Sequence, residues 1–262
     1  MAELDEKLSE DVHSAVDLLL HSKYVVALTG AGISVESGIR PFRGPGGLWT
    51  EYGEPPMDGY QRFLANPEAY WEDMKEPKGY RKELYTTIEN AKPNLAHHAL
   101  AELERLGIVK YLITQNVDNL HRAAGSEKVA EIHGNILKLR CIECNSRYDR
   151  EEINLDVLPP ICPKCGGIIK GDGVMFGEPI PLDVLRICGE EASKADCMLS
   201  VGTSAFVYPS AAFPQQVQSK GGSLIEVDPY ETALTRFCQV SLRGQAGEIL
   251  PELVSRLKTE MK

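Results

Sequence analysis

At 262 residues, 25% of them charged and 7% aromatic, the chain can bury a sizeable core, either as one large domain or as a core domain carrying an inserted one. Its formal net charge of −10 argues against a general nucleic-acid binder, which needs a basic footprint, and fits either a basic partner such as a Lys-rich segment or solubility alone. No run approaches the roughly 20 apolar residues of a membrane span, and the acidic opening MAELDEKLSED reads as neither secretory signal nor Arg-rich transit peptide, so a soluble cytoplasmic protein is expected.

Leu8, Val12, Val16, Leu19 and Leu20 recur at helical spacing and predict an opening helix, followed by a buried strand over Tyr24–Leu28. The strand runs into TGAGISVESG. Gly30 and Gly32 fit the dinucleotide pattern G-x-G-x-x-G, but its third glycine would fall where the chain has Val35, so the usual fingerprint fails. Residues 39–91, rich in Pro, Gly and aromatics, read as a long loop passing into short helices. A helix is expected over Asn94–Leu106 and a strand over Val109–Ile113, which ends in TQNVDNLH. Gln115, Asn116 and Asp118 thus stand at the carboxyl end of a buried strand, where such sheets take their ligands; the alternative is a helix cap at Asp118 among solvated loop polars. The strand Val129–Ile132 delivers His133 and the turn residue Gly134. A histidine so placed suits general-base work, and an isolated one is as readily structural. Beyond residue 176 come a helix over Leu182–Ala192, a strand over Met198–Val201, a helix over Ala211–Lys220, a strand over Ser223–Val227 and a helix over Gly247–Leu257. The small residues of VGTSAFVYP allow close backbone approach to a phosphate or ribose, and Asp228 puts a carboxylate at a strand end, suited to ribose hydroxyls. Alternation of this kind predicts an α/β fold with a Rossmann-like parallel sheet covered by helices on both faces.

Residues 136–176 hold four of the seven cysteines. Cys141, Cys144, Cys162 and Cys165 form two C-x2-C pairs with seventeen residues between them, the spacing of a structural zinc site. Four thiolates fill a tetrahedral shell and leave no place for water, so such a zinc holds structure and performs no chemistry. Two disulfides are the alternative, disfavoured without a secretion signal. Cys188, Cys197 and Cys238 lie in apolar patterns and read as small buried hydrophobes.

Taken in order, GAGIS, GIRPFRG, TQNVDNLH, His133–Gly134, the paired C-x2-C motifs, FGE at 176–178, VGTS and AGE at 246–248 resemble the sirtuin family of NAD-dependent protein deacylases, prokaryotic type, from about Asp11 to the C-terminus. The resemblance implies an NAD-binding domain made of residues 11–38, 92–135 and 177–262, a cofactor loop and helical module at 39–91 and a zinc-ribbon module at 136–176, the two insertions together making a smaller domain. It implies that Gly30, Ala31, Gly32 and Ser34 contact the dinucleotide, that Arg43 reaches its phosphate and ribose side, and that Gln115 and Asn116 hold the nicotinamide ribose. Ile33, Ile39 and Asp118 would form the nicotinamide pocket, and Gly202, Ser204, Asp228 and Ala246 would surround the adenosine half. His133 would be the general base, with Asn116 as the other catalytic residue. Phe42, Val174 and Phe176 would line an apolar tunnel for acyl-lysine, and the segments around Gly177–Glu178 and Val207–Tyr208 would pair with the substrate peptide as an added strand. The implied reaction consumes NAD and moves the acyl group to ADP-ribose, giving nicotinamide, 2′-O-acetyl-ADP-ribose and free lysine. The expected partner is an acetylated-lysine protein or peptide, with one structural zinc, no nucleic acid and a monomeric chain.

The chain departs from the family pattern in places. It has Asp228 where Asn is common, Arg40-Pro41 where Pro-Asp or Pro-Thr is frequent, and GDGV before FGE where an Arg-Pro pair is frequent. Within 60–91 no Tyr is followed three residues later by Arg, and Tyr80 is followed by Glu83, so acidic acyl groups are disfavoured against acetyl or longer neutral ones. The competing functions are ADP-ribosyl transfer to a protein and a non-catalytic NAD or ADP-ribose binding module.

Overall fold

The computed structural model describes residues 6–262. The opening helix α1 (Glu6–His21) leads into β1 (Val25–Thr29), followed by a 3-10 turn over Ala31–Ser37. Four short helices fill the Pro- and Gly-rich segment: α2 (Leu48–Tyr52), α3 (Gly59–Ala65), α4 (Pro67–Lys75) and α5 (Tyr80–Asn90). Then come α6 (Leu95–Arg105), β2 (Val109–Thr114), α7 (Leu120–Ala123) and β3 (Val129–Glu131). A small sheet follows from β4 (Lys138–Cys141), β5 (Arg147–Asp149) and β6 (Ile169–Gly171). The chain closes with α8 (Leu182–Lys194), β7 (Cys197–Val201), α9 (Ala212–Ser219), β8 (Ser223–Val227), β9 (Val240–Leu242) and α10 (Ala246–Glu260).

The main sheet is parallel throughout, in the order β3-β2-β1-β7-β8-β9, and its central strands are buried on both sides. Side chains alternate across it, so Val25 and Ala27 pack with α1, α6 and α10 through Val12, Leu100 and Leu253. Val26 and Leu28 face the other way, onto Cys188 and Ala192 of α8 and Phe213 and Val217 of α9. Rossmann-like two-sided cover is therefore what the strand and helix patterns predicted. Asn94 opens α6 by accepting hydrogen bonds from the N–H groups of Ala96 and His97, a cap that satisfies donors the helix leaves free.

The small sheet, in the order β5-β4-β6, is antiparallel. Its core of Leu139, Cys141, Ile153, Cys162 and Ile169 is shared with Trp71 of α4, whose indole N–H donates to the carbonyl of Ile169 at 3.0 Å. The short helices and the cysteine-bearing sheet are thus packed on one another. Cys188 and Cys197 are fully buried as their patterns imply, whereas Cys238 is half-buried after a 3-10 turn and donates to the carbonyl of Leu234. Among the described residues no helix is long and apolar enough to cross a membrane.

Candidate active site

The strand register brings the sequence motifs to one edge. Thr29 stands beside Thr114 on one side and Val201 on the other, and Val201 beside Val227. The residues that follow these ends are Gly30, Gln115, Gly202 and Asp228. The strand order reverses between β1 and β7, the switch point whose crevice takes the ligands of doubly wound sheets.

At that crevice two loops touch backbone to backbone. Gly30 donates to the carbonyl of Val201 at 3.1 Å and Gly32 to that of Gly202 at 2.9 Å. A Cβ on Gly32 would lie 2.6 Å from the Gly202 Cα, and one on Gly202, whose φ is +58°, would lie 2.4 Å from the Ile33 nitrogen. Neither position takes a side chain. The third glycine of the ordinary fingerprint serves close helix–strand packing. Here a 3-10 turn replaces that helix start, and Val35 points outward at 41% exposure, so no glycine is needed there.

A cleft of about 1480 Å³ runs from these loops toward the small sheet. Gly30, Ala31, Gly32, Gln115, Asn116 and His133 line it, as do Phe42, Arg43, Gly202, Ser204 and Asp228. Val174, Phe176, Gly177, Glu178, Val207 and Tyr208 extend the lining on the other side. Ile33, Ser34, Ile39, Asp118 and Ala246 are buried and do not line the cleft.

Asn116 is held from three directions. Its backbone N–H donates to Thr114 Oγ1 at 3.1 Å, and its Nδ2 donates to the carbonyl of Gly30 at 3.0 Å and to Ser34 Oγ at 3.1 Å. Both amide hydrogens are used, which leaves Oδ1 as an acceptor on a residue that lines the cleft. Ser34 Oγ in turn donates to Asp118 Oδ2 at 2.7 Å, while Asp118 Oδ1 accepts from the Leu120 N–H at 2.9 Å. Asp118 thus lies just ahead of α7, whose cap position is Asn119, and bonds the first N–H of that helix from behind the cleft wall. Burial raises its pKa, opposed by these hydrogen bonds.

His133 Nδ1 lies 3.0 Å from the carbonyl oxygen of Gln115. A carbonyl only accepts, so Nδ1 carries the proton and Nε2 keeps its lone pair. Burial lowers the pKa of the ring, while the bond to Gln115 partly restores it. A neutral imidazole in a fixed tautomer follows. Gly134 makes the next turn possible: at φ +79° its Cβ would stand 2.2 Å from the carbonyl oxygen of Asp172. The chain then returns as Val174, whose N–H donates to the carbonyl of His133 at 2.8 Å.

A model described as the Sir2 family matches residues 30–209, which include both glycine loops, the His133 strand end and the four paired cysteines. The chain belongs to the Sir2 family. Over 97% of its length it is 44% identical to NAD-dependent protein deacylase 1 of Archaeoglobus fulgidus, covering 98% of that relative. Among solved structures, a Sir2 homolog–NAD complex is similar with a TM-score of 0.79 and 42% identity, over 95% of either chain. A Sir2–p53 peptide–NAD+ complex is similar with a TM-score of 0.75 and 35% identity, over 95% of this chain and 98% of that one.

This Sir2 chain also gathers the four paired cysteines into one cluster. The thiol sulfurs of Cys141, Cys144, Cys162 and Cys165 all lie within 4.8 Å of one another, with Cys141 and Cys165 at 3.5 Å and Cys144 and Cys162 at 3.7 Å. Disulfides are excluded by those separations. Four sulfurs at about 2.3 Å around a tetrahedral zinc stand about 3.8 Å apart, so the cluster fits one such ion. Metal analysis is expected to find one zinc per chain, and Cys165→Ala is expected to lose it with a fall in melting temperature. Wild-type protein with four reactive thiols and no metal would contradict this.

Contacts between distant segments shape the cleft wall of this Sir2 protein. Gln115 Nε2 donates to Thr203 Oγ1 at 2.8 Å, which joins the two sides of the crevice. His97 and His121 meet behind the wall with ring centroids 4.9 Å apart and the rings tilted by 59°. His121 Nε2 meets Thr29 Oγ1 at 2.8 Å and His97 Nε2 lies 3.5 Å from Ser34 Oγ. Burial holds both rings neutral, with His97 down at about 4. Trp49 packs between Phe42 and Phe176, at centroid distances of 4.7 and 5.4 Å, beneath the Arg43 guanidinium at 4.6 Å. An aromatic between two motifs, with a cation six residues before it, was the available signal.

Glu178 makes buried ion pairs that its motif hides. Its side chain is only 2% exposed and sits between Arg140 and Lys170, with Lys170 Nζ at 3.1 Å. Arg140 Nε also donates to Asp172 Oδ1 at 3.0 Å, and Asp172 Oδ2 accepts from the N–H of Asn135, two residues past His133. Burial pushes Lys170 down to about 8, with Glu178 pulling it back up. The GDGV departure thus places Asp172 as a link between the small sheet and the His133 turn.

Proposed function

We propose that the protein is an NAD-dependent protein-lysine deacetylase or deacylase acting on an acetylated-lysine segment in the cytoplasm, as a monomer and without nucleic acid. The observation that carries the reading is His133, neutral and tautomer-fixed by Gln115 in a cleft it shares with Asn116 and the two glycine loops. Named relatives at 44% identity and similar NAD and peptide complexes support it. The reducing cytoplasm suits a chain whose cysteines are all free thiols.

In this reading the domains divide as the resemblance implies. Gly30, Ala31 and Gly32 receive the dinucleotide, Arg43 its phosphates, and Gly202, Ser204 and Asp228 the adenosine side. Ile33, Ser34, Ile39 and Asp118 act from behind, closing the nicotinamide pocket and fixing Asn116. Ala246 supports the adenosine side from a buried position. Phe42, Val174 and Phe176 form an apolar passage that accepts neutral acyl-lysine and penalises charged lysine by desolvation. Gly177–Glu178 and Val207 flank the peptide.

NAD supplies an electrophilic C1′ at its nicotinamide ribose, to which the acyl oxygen adds as nicotinamide leaves. The transition state gathers positive charge on the ribose, which Asn116 Oδ1 would meet as an acceptor. His133 Nε2 then takes a proton from the ribose hydroxyls, which frees the 2′-oxygen for acyl transfer. The base works only when neutral. Because burial lowers its pKa, kcat/KM is expected to rise with pH through a midpoint below 6.5 and level off above it. A midpoint well above 6.5 would contradict the assignment.

Nicotinamide release tests the reading against its competitors. Release that needs an acetyl-lysine peptide indicates deacylation, release with ADP-ribose left on protein indicates transfer, and NAD binding without release indicates a binding module.

A further inference from the structure

Arg40 occupies a position at which this chain departs from the family pattern, and its guanidinium is used in three directions. Nε donates to the carbonyl of Gly46 at 2.8 Å, Nη1 to Glu83 at 2.9 Å and Nη2 to Glu51 at 2.6 Å. Tyr52 donates its hydroxyl to the other Glu83 oxygen at 3.0 Å. One side chain therefore joins the loop, α2 and α5.

The loop so held carries Phe42 and Arg43 into the cleft. Its far end reads Gly44-Pro45-Gly46-Gly47, with Gly44 and Gly46 at φ +82° and +70°, a stretch that would sample many conformations if untethered. Backbone bonds from Leu48 to Pro41 and from Trp49 to Phe42 tie it only to α2. The polar ties among the described residues that reach α5 run through Glu83, from Arg40 and from Tyr52.

We propose that Arg40, acting through Glu83 and Glu51, is a positioning residue that pre-orders the Phe42–Arg43 loop for NAD. Without the clamp the ordering entropy of the loop falls on NAD binding, so affinity drops and the chemical step does not. The proposal rests on the deacylase reading.

NAD titration by calorimetry and steady-state deacetylation of an acetyl-lysine peptide test it together. Arg40→Ala is expected to raise the Kd and KM for NAD by about five- to tenfold, a modest coupling-sized change, with kcat at saturating NAD and the peptide KM unchanged. Glu83→Gln should shift the same constants in the same direction. The double variant should be no worse than Arg40→Ala alone, because the Arg40–Glu83 contact is already lost there and glutamine still accepts from Tyr52. Arg40→Lys should restore part of the affinity, since an ammonium reaches fewer of the three acceptors. An Arg40→Ala protein with wild-type Kd for NAD, a fall confined to kcat, or additive effects in the double variant would overturn the clamp. Wild-type protein that binds no NAD would overturn the functional reading, and the clamp with it.

Discussion

Replacing His133 by alanine is expected to slow acetyl removal by about 10²- to 10⁴-fold, the usual contribution of a positioned general base, while the affinity for NAD stays near wild type. The asymmetry follows from where the ring acts. Its Nδ1 is occupied by the Gln115 carbonyl and only Nε2 is available to substrate, so the side chain moves a proton and holds little else. Nicotinamide departs before that proton moves, so peptide-dependent exchange of labelled nicotinamide into NAD should survive in the variant. Rapid-quench product analysis beside the exchange assay separates the two steps. A variant that retains product formation within tenfold, or that loses exchange as fully as acetyl transfer, would remove His133 from the base role.

Glu178→Ala is expected to lower the unfolding free energy by about 3 kcal/mol, the lower end of the range for breaking a buried ion pair. Its side chain and those of Arg140, Asp172 and Lys170 are between 0% and 4% exposed. Removing the carboxylate leaves two cations facing the gap. Arg140 cannot shed its proton but keeps Asp172 at 3.0 Å. Lys170, already held near 8, can become neutral and still donate to the carbonyls of Gly171 and Gly173. These two releases place the loss at the low end. Glu178→Gln keeps the shape and one acceptor and should lose less. Urea unfolding at constant m-value measures both, and a loss under about 1 kcal/mol for the alanine variant, the level of an exposed pair, would mean that the cluster is solvated.

The parts of this molecule that could be read from the sequence are those written in contiguous residues. The strand VVALT is apolar enough to be buried on both faces, and C-x2-C pairs announce a metal cluster wherever they fold. The candidate residues at strand ends could be named because a parallel sheet takes ligands there, and the register of Thr29, Thr114, Val201 and Val227 does align those ends. What escaped depends on contacts between distant segments. Gly202 was marked for close backbone approach, but that the chain it meets is the Gly32 turn shows only in the fold. Lys170 carries no signal in the sequence that it is fully buried, paired with Glu178 at 3.1 Å. His97 and His121 meet only through the packing of α6 against α7. The edge strand Val240–Leu242 has three residues, too few to show a period.

Acetyl removal, on the proposed function, is coupled to NAD consumption at His133. Mass spectrometry of an acetyl-lysine peptide incubated with the protein, with and without NAD and beside His133→Ala, tests it most directly. Loss of acetyl that needs both NAD and His133, with one acetyl-ADP-ribose formed per lysine freed, is the predicted result; acetyl loss without NAD, or NAD consumed while the peptide stays acetylated, would contradict it.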